Sequence, residues 1–100
     1  MAKVQVKLID PQYFSAFMLA KDAAGIARLY KKSYTSLPAF VVEGNGAEAA
    51  EEVFDLTNNP GRWNEREEIY GNGRSVSTGD IVTVDGVDYL CCSFGWEIIA

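Results

Sequence analysis

Residues 81–92 read Ile-Val-Thr-Val-Asp-Gly-Val-Asp-Tyr-Leu-Cys-Cys and carry the strongest local folding signal in the sequence. Two apolar runs flank Asp85-Gly86, a dipeptide that accepts positive φ and matches the twist of paired strands. The stretch therefore predicts a β-hairpin. After a break at residues 93–95, the run Trp96-Glu97-Ile98-Ile99 is rich in residues that suit a pleated surface and predicts one more strand.

The N-terminal third predicts one strand and two helices. Residues 4–9 alternate apolar and polar side chains, which is typical of a half-buried strand. Asp10-Pro11 then matches a helix N-cap followed by proline at the first helical position. Gly25 weakens a continuous helix, so we expect two short helices over residues 11–21 and 23–33. Asp22 either caps the second helix or lies within a single longer one.

The middle of the chain predicts a short strand and a longer helix. Residues 38–42 begin with proline, which suits an edge strand or the first position of a strand. Residues 47–58 place apolar side chains on one face and acidic ones on the other, the pattern of a surface helix. Residues 58–61, Asn-Asn-Pro-Gly, end it. Residues 62–73 are irregular, and either a short helix over residues 63–70 or a long surface loop is compatible with them.

These elements predict a single α+β domain over residues 1–100. We expect a small, mostly antiparallel sheet that contains the N-terminal strand and the C-terminal hairpin, with about three helices covering one face. The side chains expected in the core are apolar and come from the hairpin and the helices: Phe14, Phe17, Met18, Leu29, Val53, Phe54, Val82, Val84, Val87 and Tyr89.

Charge is unevenly distributed along the chain. The net charge is −5, yet the first 34 residues contain six basic and two acidic residues, so the remainder has a net charge of −9. An acidic surface repels a phosphate backbone, whose binding depends on cations. No apolar run approaches the roughly 20 residues that span a bilayer. We therefore expect a cytoplasmic protein, with neither a nucleic-acid nor a membrane partner.

The residues available for catalysis are few. Histidine is absent from the sequence, which excludes histidine-based nucleophilic and acid–base catalysis. Cys91 and Cys92 are adjacent, so on a strand they point apart and form neither a disulfide nor half of a zinc site. The glycines lack the spacing of a phosphate-binding loop. A carboxylate pair remains, but we expect no enzyme, no cofactor and no metal.

Two sets of residues are candidates for binding a partner. The first alternates arginine and aromatic side chains, as interface hot spots and single-strand binders do: Arg62, Trp63, Arg66, Tyr70 and Arg74. The second is the acidic face of the helix over residues 47–58: Glu48, Glu51, Glu52 and Asp55. The alternatives are that the aromatic residues pack onto the sheet while the arginines pair with glutamates, and that the acidic face is simply solvated.

The C-terminal half resembles a known family. Residues 75–82, Ser-Val-Ser-Thr-Gly-Asp-Ile-Val, together with residues 85–91 and Ser-Phe-Gly-Trp-Glu-Ile at 93–98, are similar to the C-terminal signature of small YodL-like proteins. Residues 52–60 resemble the segment that precedes it. Such proteins occur largely on bacteriophages, plasmids and integrative elements, and their role is uncharacterised. The resemblance covers residues 47–99 and brings no catalytic residues with it.

The resemblance implies an accessory protein of a mobile element that acts by binding a host or phage protein. Small acidic phage proteins often bind host factors, so we expect this one to inhibit or modulate a host nucleic-acid machine such as a defence complex. An anti-CRISPR protein would be one example. The alternative is a small nucleic-acid-binding module that uses the segment from Arg62 to Arg74 as a stacking and phosphate-contacting loop.

Overall fold

The computed structural model describes residues 1–99, and within them the chain forms six β-strands and four α-helices. The strands are β1 (Ala2–Ile9), β2 (Tyr34–Ser36), β3 (Phe40–Val42), β4 (Ile81–Val84), β5 (Val87–Cys92) and β6 (Gly95–Ile99). The helices are α1 (Phe14–Met18), α2 (Ala23–Leu29), α3 (Gly46–Asn58) and α4 (Trp63–Ile69). Short 3-10 turns lie at Pro11–Tyr13, Lys31–Ser33 and Pro60–Arg62. The architecture is α+β.

One antiparallel sheet contains all six strands. Five of them follow the order β2-β1-β4-β5-β6, and β3 pairs with β1 on the same side as β2. The long strand β1 pairs with β4 on one side, and on the other side it pairs with two short strands. The first residues of β1 pair with β3, and its last residues pair with β2. The predicted sharing of one sheet by the N-terminal strand and the C-terminal hairpin is confirmed. Strand β2 was not predicted.

The predicted hairpin turn is present at Asp85-Gly86, where both residues have positive φ, 47° and 86°. Asp85 also ties the turn to the neighbouring strand. Its carboxylate accepts a hydrogen bond from the Lys3 amide at 3.0 Å, and its own amide donates to the Lys3 carbonyl at 2.9 Å. The turn that reverses the chain therefore also fixes the register of β1 against β4.

The core lies on both faces of the sheet. On the face that packs against α3, Val6 and Val82 meet Ala50 and Val53. On the opposite face, which we call the α2 face, α1 and α2 bury Phe17, Ala24 and Ala27 against a second apolar cluster on the strands: Ile9, Ile81, Leu90 and Ile99. The expectation that the helices cover one face is therefore wrong, because the strands present apolar side chains to both sides.

The predicted helix starts and most predicted core residues agree with the structure. Asp10 accepts a hydrogen bond from the Gln12 amide and caps the 3-10 turn Pro11–Tyr13 that leads into α1, and Asp22 accepts one from the Gly25 amide and caps α2. Four predicted core side chains are buried, Phe17, Val53, Val82 and Val84, and three are half-buried, Phe14, Phe54 and Tyr89.

The other three predicted core residues, Met18, Leu29 and Val87, are exposed, so their prediction is wrong. Helix α1 has only five residues, and Phe17 is the side chain that it buries. Helix α2 approaches the sheet through the small residues Ala24 and Ala27, which turns Leu29 outward. Val87 stands next to the hairpin turn, at the end of its strand.

Burial predicts a large difference between two leucines on different helices. Leu56 on α3 is 1 % exposed, whereas Leu29 on α2 is 71 % exposed. We expect Leu56→Ala to lower the free energy of unfolding by about 2–5 kcal/mol, since it leaves a cavity in the core. The matched variant Leu29→Ala should change it by less than about 0.5 kcal/mol. Urea denaturation measures both, and equal costs would contradict this packing.

Candidate functional site

Helices α3 and α4, with the turn between them, form a strongly acidic part of the structure, which we call the acidic layer (residues 46–70). It contains seven acidic side chains, Glu48, Glu51, Glu52, Asp55, Glu65, Glu67 and Glu68, and two basic ones, Arg62 and Arg66. Its net charge of −5 equals that of the whole chain. Outside this layer the basic and acidic side chains are therefore equal in number, and the excess negative charge lies in the layer.

Arg62 joins the two helices of the acidic layer. Its guanidinium binds Glu52 through two hydrogen bonds of 2.8 Å, Asp55 through one of 2.9 Å, and Glu65 through bonds of 2.8 and 2.9 Å. Hydrogen bonding from Arg62 lowers the pKa of the Glu65 carboxyl, and the three carboxylates raise the pKa of Arg62. This arginine is thus fully engaged by acidic partners.

Arg66 is the second basic residue of the layer, and it is 7 % exposed. Its guanidinium donates hydrogen bonds to the backbone carbonyls of Thr57 at 3.2 Å, Gly71 at 3.2 Å and Gly73 at 2.7 Å. It also lies 5.2 Å from the ring centroids of both Trp63 and Tyr70. Carbonyls at the C-terminal end of a helix favour a cation. Arg66 therefore caps the C-terminal ends of α3 and α4.

Arg74 binds the buried carboxylate of Asp80, which lies outside the acidic layer. Its guanidinium makes two hydrogen bonds to Asp80, of 2.6 and 2.8 Å, and a third of 2.6 Å to the Ile9 carbonyl. It also lies over the ring of Phe14, with 4.7 Å between the guanidinium carbon and the ring centroid. The hydroxyl of Tyr70 donates to the Arg74 carbonyl at 2.6 Å.

The five residues of the predicted arginine–aromatic loop are therefore not one exposed stacking surface. Residues 63–69 form helix α4, so of the two structures compatible with this segment the helix is the one observed. Each of the three arginines binds partners within the fold. Trp63 keeps 55 % of its surface exposed, while Tyr70 is half-buried against Phe40. Sequence spacing could not show this arrangement, because most acceptors of Arg66 are backbone carbonyls.

The four predicted acidic residues of α3 lie on one side of the helix, but their surroundings differ. Glu52 and Asp55 bind Arg62, and Glu51 accepts a 2.8 Å hydrogen bond from the Trp96 indole. The side chain of Glu48 is exposed and makes neither a hydrogen bond nor an ion pair with any residue in the range 1–99. Glu48 is therefore the least compensated of the four charges.

A shallow apolar groove borders the acidic layer, and the sequence did not indicate it. The exposed side chains of Met1, Val41 and Ile69 line it, over the buried Leu56. Its rim contains acidic residues, among them Glu43. The groove brings together the chain start, β3, α3 and α4, which are distant in sequence. An apolar centre with a charged rim is the arrangement of many protein interfaces.

The thiols have none of the features of activated nucleophiles. Burial raises the pKa of Cys91 to about 12, and burial followed by the nearby Glu97 carboxylate raises that of Cys92. A reactive thiol needs the opposite shift. Among residues 1–99, no cluster of three or more carboxylate or thiol side chains has the geometry of a metal site. The described helices are also too short or too polar to span a membrane.

Comparisons with protein-family models, with curated proteins and with solved structures found no match for this chain. The resemblance to YodL-like proteins therefore stays a prediction from the residues quoted above.

The thiol environment predicts slow modification at pH 8. In a Cys92→Ser variant, Cys91 should react with a chromogenic disulfide reagent at least about a hundredfold more slowly when folded than in urea, because the folded thiol is protonated. The unfolded thiol has a pKa near 9, so its rate should level off above that pH, whereas the folded rate should keep rising toward pH 12. A folded rate that levels off near pH 9 would contradict the burial of Cys91.

Proposed function

We propose that this protein is a non-enzymatic accessory protein of a phage or plasmid, and that it binds a basic surface of another protein through the acidic layer. By that contact it inhibits or modulates a host nucleic-acid machine, such as a defence complex. The resemblance to YodL-like proteins supports the mobile-element origin. The charge distribution supports the mode of binding.

The observation that carries the proposal is that the whole net charge lies in the acidic layer. Glu48, Glu67 and Glu68 are exposed and have no ion-pair partner within residues 1–99. The two arginines do not offset them at the surface, since Arg62 already binds three carboxylates and Arg66 is buried. Complementary charge steers two proteins together and excludes partners of the same sign.

The apolar groove supports a protein as the partner. A purely electrostatic surface binds weakly in physiological salt, because exposed charges are screened. The groove adds exposed apolar surface directly beside Glu52 and Glu65. The proposed partner therefore presents basic side chains around an apolar contact, as the nucleic-acid-binding surface of a host protein would.

The alternative, a nucleic-acid-binding module built on Arg62 to Arg74, finds less support. Its three arginines already bind carboxylates or carbonyls, so contact with phosphates would break those bonds. Glu65, Glu67 and Glu68 lie on the same segment and repel a phosphate chain. We expect no binding of a DNA or RNA oligonucleotide at near-physiological salt.

Charge reversal at Glu48 tests the proposal without disturbing the Arg62 network. In a pull-down of the tagged protein from nuclease-treated bacterial lysate, Glu48→Lys should reduce recovery of the partner about tenfold, since it places like charges opposite each other. The control is Glu97→Lys, which changes the net charge equally on exposed strand β6. It should leave recovery unchanged, and circular dichroism should confirm that both variants are folded.

Two outcomes would overturn this proposal. Equal recovery by wild type and Glu48→Lys would remove the acidic layer from the interface. Recovery that disappears on nuclease treatment, together with salt-sensitive binding of a bare oligonucleotide, would favour the nucleic-acid module instead.

A further inference from the structure

We propose that the α2 face of the sheet contains a binding site for a small organic anion, one that joins a carboxylate or phosphate group to an apolar body. The site, which we call the basic recess, is lined by Lys7, Arg28, Lys31, Ser36, Ile81 and Ile99, among others. It lies on the opposite side of the sheet from α3 and is independent of the function proposed above.

Strand pairing builds the floor of the basic recess. Lys7 on β1 pairs with Ser36 on one side and with Ile81 on the other, so these three side chains lie in one row on the same face. Asp88 and Ile99 form a second pair, on β5 and β6. Helix α2 has only seven residues and leaves this part of the sheet uncovered. The gap beside it is the recess.

The recess is positively charged in a chain whose net charge is negative. Three cations line it, Lys7, Arg28 and Lys31, against the single carboxylate of Asp88. Lys7 binds Asp88 at 3.4 Å, and Thr83 also donates to that carboxylate. The side chains of Arg28 and Lys31 make neither an ion pair nor a hydrogen bond with residues 1–99. Two cations are thus free to receive an anion.

Cations near the end of α2 also have a structural explanation, since they complement the helix dipole. That explanation covers Arg28 and Lys31 but not Lys7, which lies on a strand. It also covers Lys32, which follows α2 without lining the recess. The convergence of cations from a strand and a helix end on one recess is what points to a ligand.

The size and the apolar lining indicate the kind of ligand. The recess has a volume of about 500 Å³, within the roughly 300–1,000 Å³ of small-molecule sites. Ile81 and Ile99 make part of its floor apolar, and Ala27 of α2 adds an apolar wall. A bare inorganic anion would leave that floor unused, whereas an aromatic or aliphatic body would cover it while its anionic group reaches Arg28 and Lys31.

A titration followed by amide NMR tests the proposal with defined probes. Phenyl phosphate or benzoate, added to the full chain at low ionic strength, should cause saturable shifts in the amides of the recess, such as Ala27, Ser36 and Ile81. The tighter of the two identifies the anionic group. Inorganic phosphate should bind at least about tenfold more weakly, because it lacks the apolar body.

A pair of charge-matched variants gives the control. Arg28→Gln/Lys31→Gln should weaken the tighter probe about tenfold or more, since it removes both unpaired cations. Lys21→Gln/Lys32→Gln makes the same change in net charge outside the recess and should weaken binding less than about twofold. Ser36→Phe, at the exposed end of the row that contains Lys7 and Ile81, should block the recess without altering the core.

Three results would overturn the proposal. They are the absence of saturable shifts up to about 10 mM probe, equal weakening by the two double variants, and inorganic phosphate that binds as tightly as phenyl phosphate. The last would mean that the recess holds an adventitious ion only.

Discussion

The carboxylate of Asp80 is fully buried and accepts four hydrogen bonds, which join the end of β1 to the segment that precedes β4. Two bonds come from the Arg74 guanidinium, one from the Ile9 amide at 2.8 Å and one from the Ser77 amide at 2.7 Å. Arg74 also donates a hydrogen bond to the carbonyl of Ile9, the last residue of β1. A buried charge is tolerated only when it is paired and hydrogen-bonded in this way.

The same connection sets the position of the acidic layer. With Arg74 and Asp80 fixed, the segment between them places Val76 in the core and brings Ser75 to the end of α3. There the Ser75 hydroxyl donates to the Thr57 carbonyl at 2.6 Å, and the Val76 amide donates to the Thr57 hydroxyl at 3.1 Å. The C-terminal end of α3 is thus attached to the segment that precedes β4, and Arg66 links α4 to the same region through its bonds to the Thr57 and Gly73 carbonyls.

Local signals in the sequence were sufficient to predict several features of the fold. The Asp85-Gly86 turn, the capping residues Asp10 and Asp22, and the acidic face of α3 all depend on neighbours within one or two turns of chain, which sequence patterns report well. The same reasoning failed for Leu29, because an apolar residue at helical spacing faces the core only if the helix is oriented that way. Alanines set that orientation here.

The proposed binding surfaces were harder to predict because they assemble from distant segments. The basic recess needs the pairing of Lys7 with Ser36, across a strand that has only three residues and no clear pattern. The roles of Arg66 and Arg74 depend on carbonyls and on a buried carboxylate whose proximity the fold creates. Residue spacing identified these arginines as candidates but could not show that they are already occupied.

The most direct test of this account is a double-mutant cycle on the Arg74–Asp80 pair, with Arg74→Met, Asp80→Asn and the double variant unfolded in urea. If the pair holds the end of β1 to the segment that precedes β4, each single change leaves the other side chain without its partner, and the double variant should cost less than the sum of the singles by about 1–3 kcal/mol. Additive costs within about 0.5 kcal/mol would show that the two side chains act independently and would contradict the account.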